Sequence, residues 1–273
     1  MLNCKGRSIS IEFITLQSTD VLEMLGASFC ATGRDKLRSI WQQPGASRQA
    51  TNPLREDCMS KLRVAVVTGA HAFDVVSFHD LFRSFEDCDC YPQTLEDWAL
   101  DLSRHGDRYA AHVFYNMHTM APEDAPGGKR TREAIDALGR GPGIVVLHHG
   151  ILAFVQEPVW DAIVGMTGRT IDGYSHDERL GVQVRDGGHP ITRGLADFEI
   201  LDESYDFRGV DSTDSQVLLG TEHADCMPTL AWTRSYGESR VFNLVLGHDD
   251  QAFSHEIFRT VLGRGILWSA QAL

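Results

Sequence analysis

Positive charge is scarce in this chain: 25 lysines and arginines face 38 aspartates and glutamates across 273 residues, a formal net charge of −13. A surface of that sign repels phosphate backbones and anionic headgroups, so no nucleic-acid or membrane partner is expected, whereas small neutral or cationic ligands are not disfavoured. Long apolar runs are missing too. No window approaches the roughly 18–20 continuous apolar residues of a membrane span. The first residues lack the basic start and apolar core of a secretory signal, and a cytoplasmic protein is expected. The six cysteines (Cys4, Cys30, Cys58, Cys88, Cys90, Cys226) form no C-x-x-C pair and no zinc-finger spacing, which reads as reduced thiols without a chemical role. There is no internal repeat.

The first sixty residues contain no histidine and little sustained periodicity, and 1–58 reads as a poorly ordered extension ahead of a domain at 59–273. A clean start follows. Val64–Gly69 is a short β-branched run closed by glycine, as in a buried parallel strand. Val75, Phe78, Phe82 and Phe85 then mark an amphipathic helix face. Strands are expected near Cys88–Leu95 and within Tyr109–His118, helices over 95–104 and 130–138. Gly143-Ile144-Val145-Val146-Leu147 is the clearest buried strand, ending in His148-His149-Gly150, with a helix through Trp160 to Val164. Residues 168–222 read as short strands and turns. Gly187–Leu195 reads as a corner in which Gly188 can take a positive φ. Tyr236–Ser239 reads as a hairpin turn between strands, and Ala252–Trp268 as one closing helix. Alternation of this kind predicts an α/β fold: a mostly parallel sheet covered on both faces, with an antiparallel extension.

Every histidine lies between His71 and His255, and four stand just after predicted strands: His71, His148, His149 and His248. Ligands of open α/β sheets bind beyond the carboxyl ends of strands, so these four are expected to line one pocket. Three chemistries could use it. Imidazoles with a carboxylate from Asp74, Asp202, Glu203 or Asp249 could hold zinc or another divalent metal, although no H-E-x-x-H motif is present. A histidine oriented by a carboxylate could move protons. The same groups could simply bind sugar hydroxyls, with Trp160, Tyr205 or Trp232 stacking on a ring or, alternatively, filling the core. Nucleophilic catalysis is disfavoured, because the turn after Leu147 offers no hydroxyl or thiol. Hydride transfer is disfavoured as well, because Thr68-Gly69-Ala70-His71 carries one glycine where a dinucleotide fingerprint needs three.

An ordered series of segments carries a resemblance. It runs from Val67-Thr68-Gly69 with His71 and Gly143–His149 to His189-Pro190-Ile191-Thr192-x-Gly194-Leu195-x-x-Phe198 and Asp202-Glu203-x-Tyr205. It continues through Pro228-x-x-Ala231-Trp232, Gly237-x-x-Arg240-Val241-Phe242, Leu246-Gly247-His248-Asp249 and Gly265-Ile266-x-Trp268. Over about residues 61–270 the chain resembles the ThuA-like (trehalose utilisation) family, related in fold to class I glutamine amidotransferases. The resemblance implies a flavodoxin-like three-layer sheet and a role in carbohydrate utilisation, often beside sugar dehydrogenases that work through 3-keto sugars. The amidotransferase cysteine would fall at or beside His148–His149, which argues against glutamine hydrolysis. After Trp160 the family pattern is met only loosely by Gly165-Met166-Thr167-Gly168 and His176, so His176 receives no pocket role.

Together these readings lead to an enzyme acting on a sugar or keto-sugar, as a hydrolase, lyase or isomerase. His149, Glu203 and His248 are the expected catalytic residues. His71, His148, Asp202, Tyr205 and Trp232 are expected to contact substrate, and a divalent metal such as zinc is left open. The alternative is a non-catalytic sugar-binding or regulatory protein on an amidotransferase-like scaffold. Self-association or a sugar dehydrogenase partner also stays open.

Overall fold

Strand and helix alternate through the first half for a local reason: short β-branched runs fit the buried pleat, and polar residues cap the first two of the helices between them. The computed structural model describes residues 61–207 and 214–273. The expected extension at 1–58 lies outside the described residues, as does the last part of the strand-like run Phe198–Val210. Strands β1 (Leu62–Gly69), β2 (Cys88–Thr94), β3 (Ala111–Asn116) and β4 (Gly143–Leu147) alternate with helices α1 (Val75–Arg83), α2 (Leu95–His105), α3 (Lys129–Asp136) and α4 (Pro158–Val164). Asp74 caps α1 by accepting from Ser77 N at 2.7 Å, and Thr94 caps α2 by accepting from Asp97 N at 3.1 Å. A 3-10 turn, His148–Leu152, joins β4 to the loop before α4.

The second half is antiparallel: β5 (Gly173–Val184), β6 (Phe198–Asp206), β7 (Gln216–Thr221), β8 (Thr229–Tyr236) and β9 (Ser239–Leu244), followed by α5 (Asp250–Ser254) and α6 (Glu256–Ser269). All nine described strands form one sheet in the order β2-β1-β3-β4-β9-β8-β7-β5-β6. The first five in that order run parallel and the rest pair antiparallel, as expected from the sequence. Alternate residues of the central strands supply two cores, one on each face. Val64, Val66, Val145 and Leu147 pack with Phe78, Phe253, Phe258 and Leu262 on the side of α1, α5 and α6. Ala65, Val67, Ile144 and Val146 pack with Trp98, Ile135, Trp160 and Trp232 on the side of α2, α3 and α4. Full burial of a large apolar side chain contributes about 1.5–3 kcal/mol, so these two layers dominate the folding free energy.

Four expectations need correction. The closing helix is broken at His255, which is extended (φ −72°, ψ 123°) and caps α6 through its ring, so α5 and α6 are separate elements. On α1, Phe78 and Phe82 are buried but Val75 is exposed, and Phe85 lies beyond the helix end. In the corner at 187–195 the positive φ belongs to Gly194 and not to Gly188. The third quarter is not built from short strands alone, since β5 runs for 12 residues.

The length of β5 positions the site. It pairs with β7 only over Val182–Val184, while its pairing with β6 runs on to Gly173. The remainder is a two-stranded ribbon whose β6 side chain Asp202 reaches the loop after β9, accepting from Gly247 N at 2.7 Å and His248 N at 3.0 Å. A bulge interrupts the ribbon between Ser175 and Glu178, so His176 and Asp177 stand opposite the single residue Glu203.

Candidate functional site

Three loops and the ribbon meet beyond the carboxyl ends of β1, β4 and β9. His71 follows β1, His148 and His149 follow β4, His248 follows β9, and Glu203 and Tyr205 come from β6. The ring centroids of His71 and His149 are 4.2 Å apart, those of His148 and His149 5.2 Å, and those of His148 and His248 5.3 Å. Residues up to 177 positions apart in the chain therefore share one rim, as parallel strands dictate.

The backbone at the end of β4 is a sharp elbow. His148 has φ +49°, a conformation uncommon for a non-glycine residue and one that turns the chain within a single position. Close packing behind it requires Gly150, because a Cβ there would lie 2.3 Å from the Phe114 carbonyl oxygen. Arg169, fully buried, secures the loop that follows. It donates to the carbonyls of Ile151 (2.6 Å), Ala153 (2.8 Å) and Phe154 (2.9 Å) and pairs with Asp161 at 2.7 Å.

At the centre, His148 Nδ1 donates to the Val245 carbonyl at 2.7 Å, which leaves its Nε2 facing the cluster. That Nε2 lies 3.1 Å from Glu203 Oε2, 3.2 Å from His248 Nδ1 and 2.9 Å from the Tyr205 hydroxyl. His248 Nδ1 is also 3.2 Å from Glu203 Oε2, and His176 Nδ1 is 3.2 Å from the other carboxylate oxygen. Burial alone would raise the Glu203 carboxyl, but hydrogen bonds with His148 and His248 outweigh it and hold the group well below the usual carboxylate range. The hydrogen bond to Glu203 conversely raises His248 against the opposing effect of burial. Burial raises Tyr205, which keeps its phenol protonated.

His149 differs from its neighbour. Its Nε2 donates to the Tyr115 carbonyl at 3.0 Å, and burial, reinforced by His148 and His71, pushes the ring down to about 2. It is a neutral imidazole whose Nδ1 has no hydrogen-bond partner, and the buried Nδ1 of His71 has none either. Burial lowers His71 as well. Both atoms are shielded from solvent, so neither nitrogen is reached from the open side of the rim. Asp202 is fully enclosed and serves the backbone: besides Gly247 and His248 it accepts from Glu203 N at 2.8 Å. Burial raises its carboxyl, and those three amide N–H groups oppose the shift.

Several sequence expectations resolve differently. Trp232 is completely buried and donates from its indole to the Val164 carbonyl at 2.8 Å, and Trp160 likewise donates to Gly150 at 3.1 Å; both are core. Asp74 and Asp249 are helix caps and not partners of the histidines. His189 packs its ring on Trp268, 5.2 Å between centroids, in keeping with the corner read from the sequence. His176, given no role from the sequence, joins the cluster, because the bulge turns its ring to within 4.8 Å of that of His248. Tyr115 was missed as well: its hydroxyl is 3.1 Å from each of the carbonyls of Gly247 and His248 and fixes the loop that carries His248. The sequence gives no sign of either, since a bulge register and a cross-loop hydrogen bond are tertiary facts.

Known proteins agree with this architecture. The chain is similar to a crystal structure of a ThuA-like protein from Parabacteroides merdae, with a TM-score of 0.61, 20% identity, and coverage of 77% of this chain and 90% of that one. A ThuA-like protein from Bacteroides uniformis aligns with a TM-score of 0.59, 18% identity, and coverage of 80% and 95%. A Salmonella typhimurium protein described as cytoplasmic aligns at 0.53 and 11% identity, covering 76% of this chain and 99% of that one. Identities this low bear on the fold alone. No curated protein matches the chain. No helix among the described residues is long and apolar enough to cross a membrane. The family model for trehalose utilisation, ThuA, matches residues 93–269, well over half of the sequence and including β4, the ribbon and the loop after β9, so this chain belongs to the ThuA family.

Proposed function

We propose that this chain is a carbohydrate-utilisation enzyme that moves protons on a sugar or keto-sugar bound at the histidine rim. The observation that carries the reading is the pair Glu203–His248, an ionised carboxylate against a partly exposed imidazole whose affinity for a proton is raised. A keto group acidifies the C–H beside it. Removal of that proton leaves an enolate, and the proton returns at carbon, at oxygen or at a departing group. His248 is the proton carrier and Glu203 orients it. His71, part-exposed at the rim, lines the pocket for sugar hydroxyls, while His149 and Tyr205, both buried, support it from behind. A keto-sugar substrate would be supplied by an oxidising enzyme such as a sugar dehydrogenase.

The test is product analysis with trehalose, sucrose and their 3-keto forms. His248→Ala and Glu203→Gln should each lose about 10²–10⁴-fold in turnover, the usual contribution of a positioned acid or base. A second reading, a sugar-binding or regulatory protein, is favoured by the absence of a nucleophile at the β4 elbow. Saturable binding in calorimetry with no conversion of any of these sugars selects that reading and removes the first.

A further inference from the structure

Three side-chain atoms at the centre of the cluster form a nearly equilateral triangle. Its edges are 3.1 Å (His148 Nε2 to Glu203 Oε2), 3.2 Å (His148 Nε2 to His248 Nδ1) and 3.2 Å (His248 Nδ1 to Glu203 Oε2). Each atom can present a lone pair to a common centre: Glu203 Oε2 and the His148 Nε2 of the neutral ring do so directly, and His248 Nδ1 does so when its proton sits on Nε2. The Val245 carbonyl can only accept, so in the neutral ring the proton of His148 sits on Nδ1 and Nε2 presents its lone pair, whereas the imidazolium form donates to Glu203. Without an ion, the Tyr205 hydroxyl donates to His148 Nε2 and His248 Nδ1–H donates to Glu203; an ion at the centre of the triangle takes the place of both protons.

We infer that His148 Nε2, Glu203 and His248 Nδ1 form a three-ligand site for a divalent transition-metal ion. Two imidazoles and one carboxylate are a donor set for zinc and for other ions of the first transition row. With metal–ligand bonds of about 2.0–2.2 Å, neighbouring ligands lie roughly 3.0 Å apart in an octahedral face and roughly 3.4 Å apart in a tetrahedral one. The observed edges fall between these, so either geometry is reached by shifts of a few tenths of an ångström. The surrounding contacts are those of a metal's outer shell. Val245 fixes the tautomer of His148, His176 holds the second oxygen of Glu203 at 3.2 Å, and Asp202 fixes the backbone N–H of His248 at 3.0 Å. His148 and Glu203 are buried, whereas the side chain of His248 is 19% exposed and that of His176 54%, so the solvent side of the triangle is open to a water or a substrate oxygen. The Tyr205 hydroxyl, 2.9 Å from His148 Nε2, competes with an ion for the same lone pair.

The site stands on geometry and does not require the proposed sugar chemistry; an ion there would occupy the His248 Nδ1 and Glu203 oxygen that pair in the proton-carrying reading and leave His248 Nε2 as the free nitrogen, and its test reads metal and not turnover. The full chain, purified without a polyhistidine tag, should carry close to one equivalent of a first-row divalent ion by elemental analysis. After removal of the metal by a chelator, cobalt(II) titration should give a one-to-one endpoint with visible d–d absorption. His248→Ala and Glu203→Gln, neither of which empties a fully buried core position, should weaken cobalt binding by about 100-fold or more while the circular dichroism stays native. His105→Ala, on the exposed end of α2, should bind as the unaltered chain does. A folded, metal-free protein that does not bind cobalt saturably overturns the inference, as does unchanged cobalt binding in both site variants. A loaded protein inert on every keto-sugar would remove the reaction and leave the site. An active protein without metal would remove the site and leave the reaction.

Discussion

At the scale of single residues, burial separates the roles that sequence position alone makes equal. His148 and His149 are adjacent and both fully enclosed, yet one faces a carboxylate and the other a backbone carbonyl. His149 is therefore a structural group behind the rim. Replacing it by alanine leaves the Tyr115 carbonyl without its donor and opens a cavity, and should lower stability by about 2–3 kcal/mol in urea denaturation. His248→Ala should change stability by less than about 1 kcal/mol, since its ring is partly in water. Equal costs for the two would contradict the environments described. Gly150 is the most restricted position in the elbow: Gly150→Ala drives a methyl into the Phe114 carbonyl and should destabilise by about 2 kcal/mol or more, read as a fall in Tm. The clustering of histidines after strands was legible in the sequence as a pattern. Which ring nitrogen points where was not, because partners such as Val245 and Tyr115 come from other strands.

At the scale of elements, two features set the rim in place. One is the loop between β4 and α4, whose carbonyls are gathered by Arg169. Arg169→Met keeps much of the volume but strands three carbonyls and the carboxylate of Asp161, and should cost about 3–5 kcal/mol. A loss below about 1 kcal/mol by chemical denaturation would mean that water replaces those bonds. The other is the β5–β6 ribbon, which has partners on both sides only near Val182–Val184. Its amides beyond that stretch should exchange with deuterium markedly faster than those of β4, which is bonded to β3 and β9. Equal protection would show the ribbon to be as firmly held as the central sheet. Strand and helix positions were readable because hydrophobic runs and capping residues are local. The bulge at His176–Asp177 and the break at His255 were not, because each is fixed by distant contacts. Gln251 Nε2 holds Asp177 at 2.6 Å, and the His255 ring lies 5.5 Å from that of Phe198.

At the scale of the whole molecule, buried neutral histidines couple folding to pH. Burial lowers both His118 and His189, neither of which belongs to the central triangle. In the unfolded chain each would bind a proton near pH 6.5. Stability from these two is thus complete above about pH 6.5 and declines as the pH falls below it, because the unfolded state then takes up protons that the folded state refuses. Urea midpoints measured between pH 7.5 and 5.5 should fall, and His118→Gln should flatten the slope; an unchanged slope would place the linkage elsewhere. The sequence by itself determined the α/β class, the parallel core, the order of the strands along the chain and the loops that carry histidine, because strand burial and turn chemistry are written in consecutive residues. Glu203 and Tyr205 were singled out in the sequence, but tertiary structure alone decided that the ribbon carries them to the rim together with His176, and that Trp232 faces the core. Those placements depend on how far β5 runs past β7 and on a one-residue change of register, neither of which has a local signature.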